Sequence, residues 1–111
     1  MRAKIYVAGP YTHGDVAVNV RNAIAAANDL ADLGFASYVP HFTHFWHMLH
    51  PRPYEFWLEL DNQFLPHCDG LLRLPGQSRG ADKEVALAES LGLPVFHSVA
   101  AVDAHFPRSR S

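Results

Sequence analysis

The spacing of apolar and polar positions changes repeatedly along this chain, and the changes predict strands that alternate with helices. Short apolar runs bounded by turn residues are typical of strands buried on both faces of a sheet. Four segments have this character, at residues 4–8, 35–39, 69–74 and 93–96. The stretches between them have helical spacing and predict helices over about 16–33, 54–65 and 78–91, with a short last helix over 99–106. In the first helix, the face predicted to be buried carries Val20, Ile24, Ala27 and Ala31.

The order of strand, helix and strand predicts right-handed crossovers between parallel strands. We therefore expect a single domain over residues 1–111 with an α/β, Rossmann-like or flavodoxin-like fold. This fold is a three-layer sandwich around a four- to five-stranded parallel sheet. In such folds, ligands bind beside the carboxyl ends of the strands, next to helix N-termini. Two loops of this chain occupy such places, Gly9-Pro10-Tyr11-Thr12 after the first strand and 75–80 after the third.

The loop after the third strand and the helix that follows it organise the predicted site. Its glycines, Gly76 and Gly80, allow a ligand to approach the backbone closely. Ser78 has two interpretations, because its hydroxyl suits both a phosphate contact and an ordinary helix N-cap. Glu84 follows in the first turns of the helix, on the flank of its apolar face. The position predicts a partly shielded carboxylate, although a surface glutamate near a helix N-terminus is also common.

Asp61 breaks the amphipathic pattern of the helix predicted over 54–65. It falls inside the apolar arc that is formed by Trp57, Leu58, Phe64 and Leu65. A carboxylate on a buried face must be paired, hydrogen-bonded or protonated. Either Asp61 caps a neighbouring loop by accepting backbone N–H groups, or it is an acid with a shifted pKa that faces a pocket.

Asp61 and Glu84 together suggest a reaction at a glycosidic bond. In that chemistry one carboxylate attacks or stabilises the anomeric carbon and the other transfers protons. Tyr6 and Tyr11 lie near the end of the first strand and are suited to hydrogen-bond a carboxylate or a sugar, although core packing also explains Tyr6.

Residues 41–53 form a histidine- and aromatic-rich segment that we call the flap. His41, His44, His47 and His50 recur every third residue, which on a helix makes a stripe, and clustered histidines can bind metal. The neighbouring Phe and Trp residues favour a different interpretation, a packed lid over the pocket. The predicted site therefore includes no metal ligand.

Composition restricts the remaining function classes. The net charge of −2 argues against a broad nucleic-acid surface, and no apolar run approaches the roughly 20 residues of a membrane span. Cys68 is the single cysteine, which we interpret as a small buried apolar residue, and it allows no intrachain disulfide. We expect a cytoplasmic protein without a signal peptide, and a frayed tail at about 107–111.

The residues resemble those of the nucleoside 2-deoxyribosyltransferase superfamily, within it a short branch that begins K-I-Y-V-A-G-P-Y. The chain is also similar to the 2′-deoxynucleoside 5′-phosphate N-hydrolases. The resemblance covers about residues 4–96. It is based on I-Y-V-A-G-P at 5–10, L-x-x-L-G-F at 30–35, P-H at 40–41, Asp61 with Cys68-Asp69, and Ser78-x-Gly80-x-x-x-Glu84.

The resemblance implies a role for each matching residue. Glu84 is the nucleophile that forms a glycosyl-enzyme intermediate at C1′, Asp61 orients the sugar or protonates the leaving base, and Tyr6 hydrogen-bonds the nucleophile. Residues expected to bind substrate are Gly9, Pro10, Tyr11, His41, Asp69, Ser78 and Gly80. The resemblance implies a nucleoside or nucleotide substrate, no cofactor, and a homodimer or larger homo-oligomer.

Three functions stay open from the sequence. The first is cleavage or transfer at the N-glycosidic bond of a nucleoside or nucleoside 5′-monophosphate. The second is a non-catalytic nucleotide-binding or sensing module on the same fold, which has no need of Glu84. The third is a metal-dependent hydrolase that uses the histidines of the flap.

Overall fold

Four parallel strands form one sheet in the computed structural model, which describes residues 1–108. The strands are β1 (Lys4–Ala8), β2 (Ala36–Tyr38), β3 (Gly70–Arg73) and β4 (Val95–Phe96), and their order in the sheet is β2-β1-β3-β4. The sequence order reverses between β1 and β3, which pair along Ile5 to Ala8. The predicted α/β fold with a parallel sheet is confirmed, and within residues 1–108 the strand number is four.

Helices connect the strands and cover both faces of the sheet. They are α1 (Val16–Asp32), α2 (His44–Leu49), α3 (Tyr54–Phe64), α4 (Arg79–Ser90) and α5 (Val99–His105). Short 3₁₀ turns at Pro40–Thr43 and Leu65–His67 precede α2 and follow α3. Within residues 1–108, no helix combines the length and the apolar character that a membrane span requires.

The alternation of side chains along β1 divides the core into two clusters. Ile5 and Val7 face α1 and α5, in a cluster completed by residues such as Leu30 and Val102. Tyr6 and Ala8 face the opposite side, in the cluster that contains Leu65 and residues of α4. This arrangement is the predicted three-layer sandwich, and it places the Tyr6 side chain on the side of the sheet that α3 and α4 cover.

The sequence predicted the wrong face of α1 to be buried. Ile24 is half-exposed and Ala31 is exposed, whereas Ala23, Ala26 and Leu30 are buried. The helix carries apolar residues around most of its circumference, so its pattern fits more than one orientation. Packing selects the face whose small alanines let the helix lie close to the sheet.

Arg2 joins the first strand to the C-terminal segment. Its side chain is 3% exposed and donates to Asp103 Oδ1 at 2.7 Å and to the Phe106 carbonyl at 2.7 Å. Its Nε also donates to the carbonyl of Pro107, and Arg108 pairs with Asp103. Thus both described residues of the predicted frayed tail, Pro107 and Arg108, contact the body of the protein; residues 109–111 lie outside the described part.

Candidate active site

A pocket of about 800 Å³ opens beside the carboxyl ends of β1 and β3, where the order of the strands reverses. Its volume is within the range of small-molecule sites. The pocket lining brings together most of the residues singled out from the sequence: Gly9, Tyr11, His41, Asp61, Ser78, Gly80 and Glu84.

Three stacked aromatic rings lie beside the two carboxyl groups. Tyr6 and Tyr38 are register partners on β1 and β2, so their rings project from the same face of the sheet. The ring centroids lie 5.3 Å apart, and the Tyr38 ring also stacks on Phe64 at 4.8 Å. The stack fixes both phenol rings on the side of the sheet that carries α3 and α4.

Asp61 lies on the buried face of α3, as its position in the apolar arc predicted, and is 8% exposed. The Tyr38 hydroxyl donates a hydrogen bond to Asp61 Oδ1 at 3.2 Å. The donor is therefore a side-chain hydroxyl, and the alternative of a cap on loop backbone groups is wrong. Burial raises the pKa of Asp61 to about 6, and the hydrogen bond from Tyr38 opposes the rise.

Glu84 is more deeply buried than its place on the helix flank predicted, at 9% exposed. Small neighbours on α4, Ala81 and Ala88, let the helix lie close to the sheet, and this closeness also covers its flank. Burial raises the pKa of Glu84 to about 7; Tyr6 and Arg73 lower it, and the charge of Asp61 raises it further. Glu84 Oε2 is buried without a hydrogen-bond partner in residues 1–108.

Tyr6 is fully buried next to Glu84. Its hydroxyl makes no hydrogen bond of standard geometry within the described residues, yet it is close enough to Glu84 for each group to shift the other's pKa. Burial, followed by the charges of Glu84 and Asp61, raises the pKa of Tyr6 far above its ordinary value. Tyr6 therefore keeps its proton and can act as a donor.

The loop between β3 and α4 is held by Arg73 and Ser78. Ser78 is the N-cap of α4 and accepts a hydrogen bond from the backbone N–H of Ala81 at 3.1 Å, so the N-cap interpretation is confirmed. Arg73 donates to the carbonyl of Gly76 at 2.9 Å and to Asp82 Oδ1 at 3.0 Å. Arg73 thus braces the loop, and a phosphate contact by Ser78 stays a prediction.

His41 connects the first loop to the flap. It is 4% exposed, and its Nε2 lies 2.8 Å from the carbonyl of Pro10, which can only accept. Nε2 therefore carries the proton, and burial lowers the pKa of the ring, which keeps it neutral. The remaining nitrogen, Nδ1, is an acceptor that is buried without a partner within the described residues. Pro10 thus positions His41 rather than lining the main pocket itself.

The other histidines of the flap have separate partners. The Nδ1 atom of His44 bonds the hydroxyl of Tyr11, and Nδ1 of His47 accepts from Trp57 Nε1 at 2.9 Å. Across residues 1–108, no three His, Cys, Asp or Glu side chains are arranged to hold a metal ion. The histidine spacing therefore reflects packing of the flap along one wall of the pocket, and the metal hydrolase has no ligand set there.

Asp69 does not join the other predicted site residues. It precedes β3 at the opposite, amino-terminal end of the strand, and its Oδ2 accepts a hydrogen bond from the backbone N–H of Lys4 at 2.8 Å. The expectation that Asp69 binds substrate is therefore wrong, and its role is to fasten β1 to β3. Neighbouring Cys68 is buried and donates to the carbonyl of Phe64, in keeping with a small core residue.

Tyr38 and the aromatic wall of the pocket were missed from the sequence. Tyr38 occupies the same place near the end of the second strand that Tyr6 occupies in the first, and the parallel register pairs the two. An aromatic residue is ordinary in a strand, so the sequence alone does not single out Tyr38. Arg52 also lines the pocket, from the turn between α2 and α3, which no periodicity predicts, and Trp57 reaches it from α3, one turn before Asp61.

Comparison with known proteins supports the fold. A 2-deoxyribosyltransferase from Bacillus psychrosaccharolyticus superimposes with a TM-score of 0.64 and 22% sequence identity. The match covers 84% of this chain and 69% of that chain, and it confirms the expected resemblance to nucleoside 2-deoxyribosyltransferases at the level of the fold. No curated protein matches the sequence.

A protein-family match covers most of the chain. Residues 3–97 match the family that is described as a domain of unknown function, DUF4406. This range contains all four strands and every residue of the pocket discussed above. The chain therefore belongs to the DUF4406 family.

Proposed function

We propose that this protein cleaves the N-glycosidic bond of a nucleoside or nucleoside 5′-monophosphate and passes the sugar to water or to a second base, with Glu84 as the nucleophile. The observation that carries the proposal is the meeting of two buried carboxyl groups, Asp61 and Glu84, in one pocket of suitable size. Each has a raised pKa, which is typical of groups that exchange protons during a reaction. The deoxyribosyltransferase fold is compatible with this chemistry.

In the first half of the proposed reaction, an oxygen of the Glu84 carboxylate attacks C1′ of the sugar. The C1′–N bond breaks, and its electron pair stays with the base, which takes a proton from the carboxylic acid of Asp61. The Tyr6 hydroxyl lies beside Glu84 and is suited to orient it for attack. The products of this half-reaction are a free base and a sugar esterified to Glu84.

In the second half, a nucleophile attacks C1′ and releases the Glu84 carboxylate. Attack by water gives hydrolysis, whereas attack by a ring nitrogen of a second base gives transfer, and in both cases the Asp61 carboxylate takes up the proton that the attacking group loses. The pocket wall that Trp57 and Tyr54 form is suited to stack on a base. Arg52, Arg79 and Lys83 also line the pocket and would favour an anionic substrate such as a 5′-monophosphate.

The experiment that tests this proposal is a turnover assay on a panel of nucleosides and 5′-monophosphates, with and without an acceptor base. Free and exchanged bases are followed by chromatography. Glu84→Gln is expected to abolish turnover, whereas Glu89→Gln, an exposed glutamate on the same helix, is expected to leave it unchanged. Turnover that survives in Glu84→Gln contradicts the proposal.

One observation favours the second candidate, a nucleotide-binding module without catalysis. A glutamate whose pKa is raised to about 7 is about half protonated at neutral pH, and a protonated carboxyl is a poor nucleophile. Saturable nucleotide binding without turnover, retained in Glu84→Gln, would identify this function.

A homo-oligomer is part of the proposal as well. The flap exposes several large apolar side chains: Phe42, Phe45, Trp46, Met48 and Leu49. Exposed apolar groups that cluster in this way are typical of interaction surfaces. Light scattering coupled to size-exclusion chromatography measures the mass directly, and we expect at least twice the 12.4 kDa of one chain.

A further inference from the structure

The two carboxyl groups of the pocket have unequal hydrogen bonding. Asp61 Oδ1 accepts the hydroxyl of Tyr38 at 3.2 Å, whereas Glu84 Oε2 is buried without a hydrogen bond of standard geometry within residues 1–108, although the nearby Tyr6 hydroxyl lowers the pKa of Glu84. A hydrogen bond from a neutral donor stabilises the ionised form of a carboxyl group. A buried oxygen without a donor is better tolerated when the group is neutral.

Tyr38 is held in place to act as a donor. Its ring lies between the rings of Tyr6 and Phe64, with centroids at 5.3 and 4.8 Å. Burial and the charge of Asp61 raise the pKa of Tyr38 above its ordinary value, so the phenol keeps its proton throughout the pH range in which carboxyl groups titrate. Tyr38 therefore has a proton to donate to Asp61 whenever that carboxyl group is ionised.

We propose that Tyr38 is a positioning residue that keeps Asp61 ionised, so that the resting pocket holds the single proton of the carboxyl pair on Glu84. The catalytic meaning of this assignment rests on the function proposed above. The pKa values agree with this assignment, because the pKa of Asp61, about 6, is lower than that of Glu84, about 7.

Other charged and titratable groups also act on the pair. Tyr6 on β1 and Arg73 on β3 lower the pKa of Glu84 without making it as low as that of Asp61. The remaining ionisable groups of the pocket wall are Tyr11, His13, His41, His47, Arg52, Tyr54, Arg79 and Lys83. Of these, His41 is kept neutral by burial, which lowers the pKa of its ring more than the hydrogen bond to the Pro10 carbonyl raises it.

The assignment adds a proton transfer to the reaction. Glu84 must lose its proton to become a nucleophile, and Asp61 must gain one to protonate the leaving base. Transfer of one proton from the Glu84 carboxylic acid to the Asp61 carboxylate accomplishes both and leaves the total charge unchanged. The attack on C1′ and the protonation of the base then follow as described above, and the pair is active only while it holds one proton.

The test is a titration of the side-chain carboxyl carbons by ¹³C NMR in the protein without substrate. Asp61→Asn and Glu84→Gln assign the two resonances. In the parent protein we expect Asp61 to titrate at lower pH than Glu84. In Tyr38→Phe the Asp61 midpoint is expected to rise by about one pH unit, because the donor is lost. In Phe64→Leu, which removes a stacking ring and keeps the hydroxyl, the order is expected to persist.

Two results overturn the proposal: Asp61 titrating above Glu84 in the parent protein, or an Asp61 midpoint that is the same in Tyr38→Phe. The parent titration gives an answer even if the Tyr38 variant does not fold. Turnover on the nucleoside panel is measured separately. If the titration is as expected but no substrate turns over, the proposed function is rejected and the proton assignment stands. If substrate turns over but Asp61 titrates above Glu84, the proton assignment is rejected and the proposed function stands.

Discussion

The carboxyl groups of Asp61 and Glu84 interact across one pocket, although α3 and α4 supply them separately. Burial, and then the charge of Asp61, raises the pKa of Glu84, only partly opposed by Tyr6 and Arg73. The folded protein therefore keeps a proton on Glu84 over a pH range in which the unfolded chain has lost it. This difference couples the site to the stability of the fold.

The first prediction concerns stability against pH. The pKa of Glu84 rises from an ordinary 4.5 to about 7 on folding, so its favourable contribution is complete below pH 4.5 and is lost as pH rises through about 7. The free energy of unfolding of Glu84→Gln minus that of the parent should therefore be about 3 kcal/mol more favourable to the variant at pH 8 than at pH 4.5. Urea denaturation at several pH values measures the difference. Glu89→Gln is the control, and a difference for Glu84→Gln that stays constant with pH would show that Glu84 titrates normally.

The second prediction concerns Gly76, where the two ligand-facing loops meet. Gly76 has a φ of +113°, and a Cβ built there lies 2.8 Å from Cγ of Pro10. Gly76→Ala is expected to lower the free energy of unfolding by about 2–3 kcal/mol and to weaken ligand binding, because Pro10 also positions His41. Gly92→Ala provides the control, since it has a φ of +74° with nothing within 4 Å and should lose only about 1 kcal/mol. Equal losses in the two variants would mean that the contact with Pro10 is unimportant.

The third prediction concerns Arg2. Its buried guanidinium bonds Asp103 and the carbonyls of Leu33, Phe106 and Pro107, and it lies 4.1 Å from the centre of the Phe35 ring. Arg2→Ala is expected to lower the free energy of unfolding by about 2–4 kcal/mol, because these acceptors lose their donor. Arg21→Ala, at an exposed position of α1, should change it by less than about 0.5 kcal/mol. Chemical denaturation compares them, and similar values would assign Arg2 no structural role.

The fourth prediction places the ligand beside Trp57. The chain has two tryptophans, and of these Trp57 lines the pocket. In Trp46→Phe, the remaining emission is expected to change and to saturate on titration with a nucleoside 5′-monophosphate, because the base contacts the indole. In Trp57→Phe, the change should be much smaller. A larger response from Trp46 would place the ligand on the outer surface of the flap.

Much of the fold could be predicted because strands and helices have different periods. β1 is a short apolar run between polar residues, and its alternation of Ile5 and Val7 against Tyr6 determines which layer each side chain enters. The phase of α1 could not be predicted in the same way. A helix that is apolar around most of its surface gives no preferred face until the sheet below it selects the alanines.

Part of the candidate site could be predicted from the sequence for a related reason. Asp61 interrupts an apolar arc, and that conflict between residue type and position marked it before any geometry was known. Tyr38 produced no such conflict, since an aromatic residue is ordinary in a strand. Its hydrogen bond to Asp61 depends on the register of β1 and β2, which becomes visible only in three dimensions. Asp69 was misassigned because the resemblance alone placed it in the site, although it stands at the start of the third strand, opposite the carboxyl ends where ligands bind.

The measurement that tests the central claim most directly is mass spectrometry of the protein after reaction with a 2-fluoro-sugar nucleoside, whose fluorine slows hydrolysis of a glycosyl-enzyme ester. We predict an intact mass increased by one fluorosugar, a modified peptide in which Glu84 carries the sugar, and no adduct in Glu84→Gln. Glu89→Gln should react like the parent. A sugar attached to another residue, or turnover of natural substrate with no adduct under any condition, would contradict the assignment of Glu84 as the nucleophile.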